Sequence, residues 1–276
     1  MQNNMWTSII RSLDNKSLSF IYNELSGLTN IYPNIYEWFE RKVIPGLETG
    51  ERVIIILYDD EGESGLSILK IPEKKICYFR IVESKRRKGY GTMLMNESIR
   101  ILQTSLPMIS VSYSSLNTMS PFLIEKFGFK ITDFSIIPES KVVEFFFNSI
   151  PQETNILMSI KTEYSREIFS GNKKVELRKK FSRKSIGKIL VYSSGVEKML
   201  SGYFTISGVE KLSPLEIWNR YKDVSCIEEK GFKEYYRDTS SGVVIKIGEI
   251  YKFPSPISPK LLFGKNFIPP QSYSFM

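Results

Sequence analysis

A polar stretch broken by proline, Ser149-Ile150-Pro151-Gln152-Glu153-Thr154, divides this chain into two halves that must each build a core of their own. A length of 276 residues suits two domains better than one. Apolar residues make up 42% of the chain, enough for both halves to close. The halves differ in charge. Residues 1–150 hold 17 Lys and Arg against 17 Asp and Glu, whereas residues 151–276 hold 21 against 13. The whole net charge of +8 therefore falls in the second half, which points to a polyanion as its partner. We place one domain over residues 1–150 and a second over residues 151–276.

The composition excludes several chemistries. The chain has no histidine, which removes Ser-His-Asp and Cys-His catalysis, histidine metal sites and a histidine base. Its two cysteines, Cys77 and Cys226, lie far apart, so neither a disulfide framework nor a thiolate zinc site is expected. No metal is expected. Proton transfer must use Glu, Asp, Tyr, Lys, a terminus or water. No apolar run approaches the roughly 20 residues that cross a bilayer, and Met1 to Arg11 is not signal-like, so a cytoplasmic address is the expectation. Nothing in the sequence fixes an oligomeric state.

Trp6 to Leu47 reads as mostly helical, with a break at Pro33 and a second helix from Tyr36 that ends near Pro45-Gly46. Strands follow at Arg52–Tyr58, Gly65–Ile71 and Ile76–Val82. A helix opens after Gly89 and Gly91, with Met95, Ile99 and Leu102 on one face. Met108–Tyr113 is a strand, Ser120–Phe127 a short helix stopped by Gly128, and Lys141–Phe147 a last strand. In the second half, strands are expected at Asn155–Ile160, Ile189–Tyr192, Tyr203–Val209 and Gly242–Tyr251. Short helices are expected at Tyr164–Phe169, Pro214–Arg220 and Phe232–Arg237. The fold class is α/β, more strictly α+β: a mixed sheet flanked by helices, then a small mixed β-barrel.

Arg86-Arg87-Lys88-Gly89-Tyr90-Gly91-Thr92 follows a strand and opens a helix. Glycines let the backbone turn tightly and present N–H groups, the helix start adds partial positive charge, and the flanking cations add charge-assisted bonds. The expected ligand carries a phosphate or pyrophosphate. No Gly-Lys-Ser/Thr follows, and the third glycine of a dinucleotide fingerprint is missing. At these residues the chain resembles the GCN5-related N-acetyltransferases (GNAT), whose pyrophosphate loop reads Arg/Gln-x-x-Gly-x-Gly/Ala. Downstream, Asn117, Ser120 and Glu125-Lys126-Phe127-Gly128-Phe129 resemble that family's second motif.

The resemblance covers roughly residues 20 to 148. It implies acetyl-CoA as co-substrate, with Ile81, Val82, Arg86, Arg87, Lys88, Gly89, Tyr90, Gly91, Thr92 and Asn117 at its site. It also implies attack by an amine on an acetyl thioester whose carbonyl is held by backbone N–H groups of the Ile76–Val82 strand. The family's tyrosine acid falls at Ile124, which cannot donate a proton; Tyr113 and Glu83 are the candidates for proton transfer.

The most basic stretch runs from Gly171 to Lys184. If Lys174 to Arg178 is extended, Lys174, Glu176 and Arg178 share one side, while Val175 and Leu177 face the core. Ser159-Ile160-Lys161, then Gly171-x-Lys173-x-x-Glu176-x-Arg178, resembles the ASCH domains, relatives of the PUA RNA-binding fold. The stretches Phe253-Pro254-Ser255-Pro256-Ile257 and Pro269-Pro270-Gln271-Ser272 agree. That resemblance implies a PUA-like barrel over about residues 155 to 276. Its cleft would take RNA or a nucleobase through Lys161, Lys173, Lys174, Glu176, Arg178, Lys179 and Lys180, with the turn Ser193-Ser194-Gly195 close by. A buried salt bridge around Glu176 is compatible with such a cleft.

Three functions stay open at this point. One is an acetyltransferase whose second domain presents RNA, for example tRNA. Another is an RNA-binding regulator whose first domain only senses acyl-CoA. The third is an acetyltransferase for a protein or a small amine. Hydrolysis of acetylated cytidine, known among small ASCH enzymes with a lysine where Lys173 stands, is a further variant, although those enzymes carry threonine in place of Glu176.

Overall fold

The computed structural model describes residues 4–150 and 153–276; Pro151 and Gln152 of the expected linker lie outside the described residues. Two compact units result, Met1–Ser149 and Ile150–Met276. No helix among the described residues is long and apolar enough to cross a membrane.

The first unit is a seven-stranded sheet in the order β1-β2-β3-β4-β5-β7-β6. Its strands are β1 (Met5–Ile10), β2 (Arg52–Asp59), β3 (Gly62–Lys70), β4 (Lys75–Ile81), β5 (Met108–Ser112), β6 (Ile131–Ile136) and β7 (Val143–Phe147). The apolar run Val53–Leu57 is uninterrupted because β2 is covered on both faces. Ile54 and Ile56 pack with Ile21 and Leu25 of α1 (Asn15–Ser26) and with Ile35 of α2 (Ile35–Trp38). Ile55 and Leu57 are equally buried, and α4 (Tyr90–Leu102) packs on β2, β3 and β4. Each such side chain contributes about 1.5–3 kcal/mol when fully buried.

Two expectations change here. Trp6 and its neighbours form β1 instead of a helix: they pair antiparallel with β2, and Trp6 stacks on Tyr58. The helix from α2 does not stop at Pro45. A π-turn at Phe39–Val43 leads into α3 (Ile44–Glu48), where the proline sits in the first turn and needs no N–H partner.

β4 and β5 are parallel, and their ladder covers only Lys75–Met108 and Ile76–Ile109. Beyond that point they part. β5 then pairs with β7, and β7 with β6, a strand absent from the sequence expectation. The helix at the second motif starts earlier than expected, as α5 (Leu116–Pro121), and continues as a π-turn over Phe122–Lys126.

The second unit is a six-stranded mixed sheet, β13-β8-β10-β11-β12-β9. It contains β8 (Thr154–Lys161), β9 (Val175–Arg178), β10 (Ile186–Ser194), β11 (Met199–Leu212), β12 (Gly242–Ile257) and β13 (Tyr273–Phe275). β11 and β12 are long, and bulges along their pairing bend them. The sheet curls until its two ends meet: Arg178 on β9 donates to the Ser159 carbonyl of β8 at 2.8 Å and to Ser272 Oγ, next to β13, at 3.4 Å. The barrel is thus closed at this point by a side chain. Ile156, Met158, Val191, Phe204 and Ile245 fill its interior, with Ile168 of α6 (Thr162–Phe169) on top. α7 (Pro214–Ser225) and α8 (Glu229–Tyr236) cover β9 through Ile217, Phe232 and Tyr236.

Candidate functional sites

In the first unit, the separation of β4 from β5 opens a cleft of about 1290 Å³. The loop between β4 and α4 forms part of its wall. Gly89 caps α4 at φ +90°, in the left-handed region, where an L side chain would be strained although nothing stands within 4 Å of a Cβ. Arg87 also has a positive φ, +62°. Arg86, Arg87 and Lys88 are all exposed. Lys126, carried by the π-turn after α5, donates to Thr92 Oγ1 at 2.6 Å and adds a cation beside the helix start. Open backbone, outward cations and a helix N-terminus are what a pyrophosphate requires.

Both ends of this loop are tied to one buried carboxylate. Lys85 Nζ and Tyr90 Oη each donate to Asp59 Oδ2 at 2.6 Å, and Lys85 also meets Glu61. Burial pushes the Asp59 carboxyl up, but bonds from Lys85, Tyr90 and the Glu61 N–H outweigh it and hold it well below the usual carboxylate range. Its own hydrogen bonds to Asp59 and to the Glu61 carboxylate push Lys85 upward. The residues just before and just after the loop are therefore fixed, which helps hold its strained φ angles in place.

Several expected site residues do not face the cleft. Tyr90 is buried and turned toward Asp59. Val82 spends its N–H on the Ser64 carbonyl of β3 at 3.0 Å. Since successive N–H groups along a strand alternate sides, that of Ile81 points the other way, toward the gap. Lys88 is exposed but not part of the wall, whereas Ile81, Arg86, Arg87, Gly89, Gly91 and Thr92 are part of it. Asn117 on α5 also lines it. Neither candidate for proton transfer does. Tyr113 lies outside the lining, and Glu83 is a rim charge, 87% exposed, 3.8 Å from Arg86.

The cleft instead contains a pair that the sequence reading missed: Tyr32 Oη donates to Glu144 Oε1 at 2.6 Å. Burial first, then the Glu144 charge, pushes the Tyr32 phenol far above its ordinary value and keeps it protonated. The two residues are 112 positions apart, and neither stands in a motif.

In the second unit, α6 ends at Ser170 and Gly171 follows at φ +80°, turning the chain into β9. That turn sends Lys173 inward instead of onto a basic face. Lys173 is 3% exposed, donates to the Ser225 carbonyl at 2.5 Å and lies 3.6 Å from Glu176 and 5.1 Å from the Tyr164 ring centre. Glu176 is 6% exposed and meets Arg178 at 3.0 Å. The carboxylate thus sits between two cations. Arg178 Nε is buried and, among the described residues, has no hydrogen-bond partner.

Val175 and Leu177 pack into the core against α7 and α8 as expected, and Glu176, on the other side of β9, is buried as well. Ser193 is likewise internal, bonded to Ser165 and Ser201. Lys161, Lys174, Lys179 and Lys180 are the exposed members of the set; Lys161 is 3.7 Å from Glu163, and Lys179 lies over the Tyr235 ring.

Residues 153–266 match the DUF365 family, described as a domain of unknown function. An ASCH domain-containing ribonuclease of Zymomonas mobilis is 23% identical over 133 residues, 46% of this chain and 87% of that protein. Among solved structures, ASCH from Zymomonas mobilis covers 44% of this chain and 87% of its own at 22% identity, with a TM-score of 0.42. A GNAT-family acetyltransferase from Bacillus cereus covers 51% of this chain and 95% of its own at 14% identity, with a TM-score of 0.38. The β4–α4–β5 crossover of the first unit carries the Arg86-x-x-Gly89-x-Gly91 loop, and the DUF365 match falls within the second unit.

Proposed function

We propose that the first unit is an acetyl-CoA-dependent N-acetyltransferase and that the second binds RNA or a nucleobase and supplies the acceptor. The observation that carries the first part is the glycine loop at the wall of the β4–β5 cleft. Arg86, Arg87 and the first turn of α4 would hold the pyrophosphate, with Lys126 adding charge. The Ile81 N–H, turned into the gap, would receive the thioester carbonyl and stabilise charge as it develops there. The amine would attack from the part of the cleft that holds Tyr32 and Glu144.

RNA as the second unit's ligand is supported by the net charge of residues 151–276 and by the Zymomonas protein's description as a ribonuclease. The exposed Lys174, Lys179 and Lys180 suit phosphates, while the Lys173–Glu176–Arg178 cluster suits a smaller group such as a base edge. That same description favours a second reading, RNA cleavage. One experiment separates them: incubate the protein with radiolabelled acetyl-CoA, total RNA and protein, then fractionate with nuclease and protease. Label in the nuclease-sensitive fraction supports an RNA acetyltransferase. Label on protein alone moves the acceptor elsewhere, and shortened RNA without label supports cleavage.

A further inference from the structure

We propose that the cleft of the first unit ends in a subsite for an anionic group, a carboxylate or a phosphate, which the acceptor carries at the far end from its amine. The proposal rests on the acetyltransferase reading and adds to it the charge of the acceptor's distal end. Three cations define the subsite. Arg52 on β2 pairs directly with Lys70 on β3, and Lys70 with Lys75 on β4. Directly opposed residues of antiparallel strands share one face, so the three form a row across the sheet. All three line the cleft. Like charges set opposite one another repel, so such a row needs counter-charge.

The chain supplies little of it. Glu73, in the turn between β3 and β4, is bound to Lys70. Among the described residues, no carboxylate lies within ion-pair distance of Arg52 or Lys75. The remaining carboxylates of the lining are Glu139, between β6 and β7, and Glu144 on β7. β7 is four strands from β2, roughly 19 Å at the usual strand spacing.

Arg52 lies deepest of the three, 8% exposed. Its stem passes Gly46 of α3, where a Cβ would collide with the Arg52 Cγ. Its guanidinium carbon is 6.0 Å from the Trp38 ring centre, and Nη1 donates to Cys77 Sγ at 2.9 Å. Burial pushes the Cys77 thiol up, so this partner is neutral. A buried guanidinium held by a ring and a neutral thiol lacks a counter-charge, and its fork suits a carboxylate or a phosphate. The glycine loop and the cation row stand at opposite ends of β4. Cys77 to Ile81 is four residues, about 13 Å of extended strand, which sets the reach from the anion to the thioester carbonyl.

The test uses the full chain with CoA present and three probes: 8-aminooctanoate, 8-aminooctyl phosphate and 1,8-diaminooctane. Binding is followed by NMR line broadening, CoA affinity by calorimetry, and stability by thermal unfolding with and without probe. The wild type is expected to bind an anionic probe about tenfold or more tightly than the diamine. The tighter of the two anionic probes identifies carboxylate or phosphate. Arg52→Met keeps the stem beside Gly46 and Trp38 and removes the charge. It is expected to lose the preference, to keep its CoA affinity and to be at least as stable as the wild type without probe, because no ion pair is broken. The anionic probe should raise the Tm of the wild type and not of the variant. Lys75→Gln, at a half-buried position, is expected to give a smaller loss of preference and decides the matter should Arg52→Met fail to fold. Equal affinity for all three probes in a wild type that binds CoA, or a preference that survives the substitutions, overturns the proposal and leaves the acetyl-CoA reading standing. An Arg52-dependent preference in a protein that does not bind CoA overturns the acceptor role together with the transferase reading.

Discussion

The loop before α4 and the loop before β9 are built from the same materials and end up opposite in character. Each holds a run of Lys and Arg, a glycine at positive φ and one buried lysine on a carboxylate. In the first, Lys85 and Tyr90 are drawn onto Asp59 at the roots of the loop, and the cations between them stay in solvent. In the second, Lys173 and Arg178 both turn inward around Glu176, while Lys174, Lys179 and Lys180 remain outside, as do Arg183 and Lys184 farther on. The difference lies in where the carboxylate sits. Asp59 belongs to a neighbouring strand and tethers the loop from below. Glu176 lies inside the basic run itself and gathers its cations. A charge run read from sequence therefore describes a surface only once its counter-charges have been located.

The largest expected effect is on stability of the second unit. Glu176→Ala leaves Lys173 and Arg178 buried without their carboxylate and should cost about 3–5 kcal/mol in urea unfolding. CoA affinity in the first unit should not change. If the variant is as stable as wild type, the cluster is not the buried, mutually dependent group described here.

Next is Gly89→Glu. It forces a side chain onto φ +90° and sets a negative charge against the pyrophosphate. At about 1.5–3 kcal/mol for each lost charged hydrogen bond, CoA affinity should fall about 100-fold or more by calorimetry. Gly91→Ala should be far milder, since its Cβ would meet Phe122 at 3.5 Å, an ordinary contact. A matched pair of losses would mean that the two glycines do the same job, contrary to their geometry.

Acid should separate the two loops further. Asp59 is held below its ordinary value in the folded state, so the unfolded chain takes up its proton first as pH falls. The stability it contributes is complete above about pH 4, the unfolded carboxylate range, and is lost progressively below it. Thermal unfolding of wild type between neutral pH and acid should show this loss, and Asp59→Asn should show a shallower pH dependence. Identical slopes would remove Asp59 from the tether. The smallest effect is expected from Lys179→Ala with Lys180→Ala. Each removed phosphate contact should lower the salt slope of single-stranded RNA binding by about 0.7. An unaltered slope would take these lysines off the RNA path.

Much of this architecture was legible in the sequence because it is local. The run Val53–Leu57, the face of Met95, Ile99 and Leu102, and the spacing of Arg86, Gly89 and Gly91 are each contained within a few residues. What was missed depends on distant pairing. Trp6, Ile9 and Ile10 match helical spacing as well as a strand, and β2 decides between them by offering an edge. β6 and β13 carry weak patterns and exist because β7 and β8 accept them. Tyr32 and Glu144 become a pair only when the loop after α1 meets β7. The inward turn of Lys173 could be suspected from Glu176 three residues on, but its depth is set by α7 and α8, which come about forty residues or more later.

In the proposed function, the loop after β4 holds the pyrophosphate of acetyl-CoA. Calorimetric titration of acetyl-CoA into the wild type and into folded Gly89→Glu protein tests it most directly. Saturable one-site binding in the wild type and its loss in the variant are expected. No binding to the wild type, or equal affinity in both proteins, would contradict it.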